Sequence, residues 1–143
     1  MKIVEIRNKD YPLLKQLFLN ERQRTFSWLD TSDFQLDDFE KYTQGEQILV
    51  ALSDDIPVGF ISIWTPTNFI HHLYIDQKYQ GQKIGTALLK AVINTFKLPL
   101  TLKCLENNTK AIQFYKKTGF TAKEKGQSGN GTYISFELSK NID

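Results

Sequence analysis

A single cysteine, Cys104, leaves the chain without an intramolecular disulfide and without the partners of a thiolate zinc site. No window approaches the roughly 18 uninterrupted apolar residues of a membrane span. The N-terminal Met1-Lys2-Ile3-Val4-Glu5-Ile6-Arg7 has no apolar stretch behind its basic residue. These absences make a cytoplasmic location, with no membrane partner, the default expectation. Charge of one sign is equally scarce: 18 basic against 16 acidic residues leave a net charge of +2, spread along the chain. The basic stripe of a nucleic-acid surface is therefore missing. Internal repeats, low-complexity tracts and long linkers are absent too, so residues 1–143 read as one domain.

With 41% hydrophobic and 24% charged residues, the composition is that of a globular domain. Ile3-Val4-Glu5-Ile6 predicts a strand, and Asp10 then precedes the helically spaced apolar residues of Tyr11 to Phe18. Ser32 stands three residues before Gln35, a capping-box spacing, and Leu36, Phe39 and Tyr42 follow on one face of a second helix. Gln47 to Leu52 and Pro57 to Trp64 read as a hairpin around Ser53-Asp54-Asp55, and Phe69 to Ile75 as a third strand. An amphipathic helix carries Leu88, Leu89, Val92 and Phe96 up to Pro99. Leu100 to Leu105 alternates as a strand, and Asn107-Asn108-Thr109 offers N-caps to a helix that Gly119 stops. Phe120 to Lys125 and Tyr133 to Leu138 close the chain as a hairpin around a glycine-bearing loop. The order β, α, α, β, β, β, α, β, α, β, β predicts an α/β (α+β) domain, a mixed sheet flanked by helices, and many functions fit that layout.

Chemistry enters at Gln80-Gly81-Gln82-Lys83-Ile84-Gly85-Thr86, a turn between a strand and a helix. Free backbone N–H groups and the positive helix end converge there, which suits a phosphate. The segment lacks both the dinucleotide fingerprint G-x-G-x-x-G and the Gly-Lys-Ser/Thr ending of a P-loop.

At these residues the chain resembles the GNAT superfamily of N-acetyltransferases, whose Q/R-x-x-G-x-G/A turn follows a strand. Gln80 to Gly85 matches that motif at both ends, with Lys83 in place of its first glycine. The flanking Leu73-Tyr74-Ile75, Ala87-Leu88-Leu89 and Asn108 to Phe120 match in order and spacing, so the resemblance runs from about Phe60 to Phe120. It implies a mostly antiparallel sheet of six to seven strands with four helices, and acetyl-CoA as the acyl donor, leaving as CoA. The pyrophosphate would lie on Gln80 to Thr86, and the pantetheine and thioester along the backbone of Leu73, Tyr74 and Ile75. Asn108 would both cap its helix and reach the cofactor. Tyr115, in the family's Phe-Tyr-x-x-x-Gly-Phe segment, would give a proton to the departing thiolate.

The attacking amine must lose a proton. His71 and His72 are the only histidines, and strand alternation puts His71 on the face of Leu73 and Ile75 with His72 opposite. The superfamily's aromatic-amine acetyltransferases place a histidine two residues before the equivalent of Leu73, which implies His71 as the base. The glutamate that other members carry on the next strand is here Lys103. The acceptor wall is expected between Arg22 and Phe34, where Phe26, Trp28, Asp30 and Phe34 either cradle an amine or pack as core and surface. The expected reaction is transfer of acetyl to a primary amine of a small molecule or peptide, with no metal. A non-catalytic acyl-CoA sensor is the competing reading, and a homodimer through the closing hairpin is compatible with the sequence.

Overall fold

Alternating apolar residues on both sides of a strand need cover on both faces, and this arrangement organises the chain. In the computed structural model, which describes residues 1–142, the elements run β1 (Lys2–Glu5), α1 (Tyr11–Thr25), α2 (Asp38–Tyr42), β2 (Gln47–Ser53) and β3 (Ile56–Trp64). They continue with β4 (Phe69–Ile75), α3 (Ile84–Thr95), β5 (Leu100–Leu105), α4 (Thr109–Thr118), β6 (Thr121–Ser128) and β7 (Gly131–Leu138). The seven strands form one sheet in the order β1-β2-β3-β4-β5-β7-β6. Every neighbouring pair is antiparallel except β4 and β5. No helix among the described residues is long and apolar enough to cross a membrane.

On one face α1 and α2 bury Leu14, Leu17, Phe18 and Phe39 against Ile48, Val50, Leu52 and Phe60. Phe18 is the hub, its ring meeting those of Phe39, Phe60, His72 and Tyr74 edge-on at 4.9–5.9 Å. On the other face α3 and α4 close over Leu49, Ala51, Ile61, Ile63, Leu102 and Phe136. The β2–β3 turn is made by Asp54 and Asp55 with φ of 51° and 65°, the left-handed pair of a two-residue hairpin turn.

Three boundaries differ from the sequence expectation. Helix α1 runs on to Thr25, while α2 shrinks to Asp38–Tyr42 and the Ser32–Gln35 capping box does not form. Asp38 accepts from the Gln35 N–H at 2.9 Å, and the Ser32 N–H turns back to Asp30 at 3.0 Å. The closing strands reach further into the glycine-bearing loop than their composition suggests. A Cβ at Gly126 would stand 2.3 Å from the Tyr133 ring, so this glycine lets an aromatic lie across the strand and prolongs the ladder.

Candidate active site

Parallel β4 and β5 are paired at one position among the described residues, Phe69 with Thr101. Beyond it they part. The Asp76 N–H donates to the Val58 carbonyl of β3 at 2.8 Å. Counting back by the two-residue period of a strand, the Tyr74 N–H also points to β3, and those of Leu73 and Ile75 point into the gap. Tyr74 therefore meets the cleft with its ring and not with its N–H, and Gln80 Nε2 takes the Ile75 carbonyl at 3.0 Å. The gap opens into a cleft of about 970 Å³ between Leu73, Tyr74 and Ile75, the start of α3, and Asn108, Phe114 and Tyr115.

The turn entering α3 forms the far end of this cleft. Gly81 has φ of 82° with open space where a Cβ would stand. Lys83 takes the left-handed conformation, φ 62° and ψ 24°, and starts α3 without any side-chain cap. Among the described residues the first N–H groups of the helix thus meet no acceptor, an arrangement suited to an anion. Lys83, Lys90, Lys110, Lys117 and Lys140 all line the cleft, adding positive charge around it. Gln80 acts as a strut: beyond Ile75, its amide lies 3.4 Å from Glu21 Oε1, and its Oε1 accepts from Lys110 Nζ at 3.0 Å. Gly85 matters for packing, since a Cβ there would sit 3.1 Å from the Phe114 ring.

A left-handed lysine costs on the order of 1–2 kcal/mol, more than the roughly 0.5–1 kcal/mol that glycine loses in chain entropy. Lys83→Gly is thus expected to raise stability by about 0.5 kcal/mol in urea titration. Calorimetry should show CoA binding about threefold weaker through loss of the ammonium.

Tyr115 is buried against Phe114, Phe120 and Phe136, with ring centroids at 5.3–6.2 Å. Burial pushes its phenol well above the ordinary tyrosine value, so it keeps its proton. Burial also raises Cys104, on β5, to about 11, which keeps it a thiol. Asn108 caps α4, its side chain accepting from the Ala111 N–H at 3.3 Å.

The histidines do not follow strand alternation. On β3, Ser62 faces His72 and Ile63 faces Ile70, so His71 is an unpaired bulge residue. A bulge turns consecutive side chains toward one side, and the two imidazoles lie 3.9 Å apart. His71 does not line the cleft; it lies beside His72, 42% exposed, with Nδ1 2.7 Å from Glu46 Oε2. His72 is half-buried beside Phe18 with its Nε2 enclosed, and burial of the ring and neighbouring His71 lower its imidazole to about 3.

The expected acceptor wall is rearranged. Arg22 itself fills the aromatic niche, its guanidinium 4.2 Å from the Phe18 ring centre, 4.1 Å from that of Phe34 and 2.6 Å from Asp38. Trp28 stays at the surface, edge-on to Phe26, and Lys103 lies over the Tyr133 ring at 5.0 Å. Two residues the sequence did not single out matter here. Buried Glu21 lines the cleft, and Glu46, outside it, is 25 residues from its partner His71. No local spacing announces either.

Comparison with known proteins bears on the family and the fold. The model of the acetyltransferase (GNAT) family matches residues 3–120. The peptidyl-lysine N-acetyltransferase YjaB of Salmonella typhimurium is 40% identical over 72 residues, half of this chain. The match spans about half that relative's length, 48%. Among solved structures, an N-acetyltransferase from Staphylococcus aureus Mu50 superposes with a TM-score of 0.78 at 19% identity, over 96% of this chain and all of that one. A PaiA N-acetyltransferase from Thermoplasma acidophilum, in complex with coenzyme A, gives 0.74 at 20% identity over 96% and 98%.

Proposed function

The chain belongs to the GNAT acetyltransferase family, and from that premise we propose that it moves an acetyl group from acetyl-CoA to a primary amine by direct attack. The carrying observation is the gap between β4 and β5. It sets the gap-facing N–H groups of Leu73 and Ile75 on the path between Tyr115 and the uncapped start of α3. These residues fit acetyl-CoA: Gly81 to Thr86 hold its pyrophosphate with backbone N–H groups, and the gap receives its extended arm. When bound, acetyl-CoA supplies an acetyl thioester.

The protein's own contributions are positional and electrostatic. The Leu73 N–H polarises the carbonyl that enters the gap and stabilises the negative charge that grows there. Tyr115 Oη holds the proton that the leaving sulfur takes. His71 does not line the cleft, so its Nε2 accepts the amine's proton through an intervening water on the α1–α2 side, with Nδ1 fixed by Glu46. The acceptor is a small-molecule or peptide amine, and the peptidyl-lysine activity in the name of the YjaB relative supports the peptide branch.

Acetyl-CoA at 100 times its dissociation constant is expected to stabilise the fold by about 2.7 kcal/mol, measured as a thermal shift. Thiol release should follow when lysine peptides or small amines are added. No shift sinks the reading; a shift without thiol release on any amine favours an acyl-CoA sensor.

A further inference from the structure

Away from the cofactor cleft, the sheet face beneath α1 and α2 carries a second set of donors. Glu46, His71 and His72 each bring one ligand atom to within 4.8 Å of the others. Glu46 precedes β2, and its side chain is only 6% exposed. One of its oxygens meets His71 Nδ1 at 2.7 Å, while Oε1 is buried with no partner. His72 Nε2 is buried and bare as well, and so is Ser62 Oγ, directly across from His72 on β3. A polar atom buried without a partner costs about 1–3 kcal/mol. Three such atoms around one strand position mark a place where something is bound.

We propose that Glu46, His71 and His72 form a binding site for a divalent first-row transition metal of the zinc class. Two imidazoles and a carboxylate are the donor set that such ions take with three protein ligands, the fourth position being left to water. Tetrahedral coordination at bonds of about 2.0–2.2 Å sets donor atoms roughly 3.3–3.5 Å apart. The Glu46–His71 contact therefore opens by under about 1 Å, and the widest spacing closes by no more than about 1.5 Å. His71, the exposed member, has room to make that adjustment and gives the ion its way in. The bulge is the enabling feature, because in a regular strand His71 and His72 would project from opposite faces.

If His71 also takes the amine's proton, a bound ion withholds it, so metal binding and acetyl transfer compete there. Metal binding is best read without acetyl-CoA or amine, so its outcome is independent of the acetyltransferase reading. The experiment titrates untagged, chelator-stripped full chain with Co²⁺, followed by displacement with Zn²⁺. The expected result is one saturable Co²⁺ per chain with the intense visible absorption of a four-coordinate ion. In His71→Ala and in Glu46→Gln, each checked for native circular dichroism, affinity should fall at least tenfold. Because His71 is exposed, its variant is expected to fold even where a change at the more enclosed His72 would not. Absence of saturable binding means that water alone satisfies the bare atoms and overturns the proposal. Binding that survives in both variants also overturns it, as an adventitious surface ion.

Discussion

Tyr115→Phe is expected to lower kcat about 100-fold or more while leaving the KM for acetyl-CoA within about twofold. A positioned general acid contributes typically 10²–10⁴ in rate, and this substitution removes one oxygen and nothing else. The ring contacts with Phe114, Phe120 and Phe136 remain, so the variant should melt with the wild type. Burial holds the phenol protonated well above its ordinary range. The loss should therefore stay constant from neutral to mildly alkaline pH instead of following a titration. Steady-state thiol release across that range reads the result. Undiminished turnover would remove Tyr115 as proton donor and return it to the core.

Leu73→Pro addresses the other half of the chemistry, and it works because of which way an N–H points. Proline lacks the donor but keeps an extended neighbour. The Leu73 N–H faces the gap, so the β3 ladder loses nothing, as the Asp76–Val58 bond and strand periodicity require. Loss of one oxyanion donor costs about 10²–10³ in kcat, and that fall is expected with CoA still bound through the α3 turn. Tyr74→Pro is the contrasting variant: it removes an N–H directed at β3 and, by leaving its acceptor unpaired, should cost about 1–3 kcal/mol of stability. A folded Leu73→Pro protein that turns over within about fivefold of wild type would show that the carbonyl is polarised elsewhere.

Elements with strong local signals were legible in the sequence. The period-two runs gave β2 to β5, the Asn108 cap and Gly119 stop bounded α4, and the glycine turn led into α3. Features depending on pairing between distant segments were not. The bulge at His71 is a register slip against β3, and a one-residue slip leaves no mark on composition while reversing every face assignment before it. Arg22 filling the aromatic niche depends on α1 continuing to Thr25 and on Asp38 reaching back across the loop. Ser32 and Gln35 had the spacing of a capping box, but Asp38 met the Gln35 N–H instead. Lys83 shows the converse: its departure from the motif was visible, and the structure supplies the left-handed backbone that a glycine would have taken.

The single pairing between β4 and β5 among the described residues, Phe69 with Thr101, also divides the sheet mechanically. Strands β1 to β4 and strands β5, β7 and β6 are two blades joined at one end, so an arm lying in the gap acts as the missing rung of the ladder. Donor occupancy and sheet rigidity then become a single variable. The backbone amides of Leu73 and Ile75 should exchange with solvent freely in the empty protein and slowly once the blades are bridged, which favours the acetyl donor arriving before the amine.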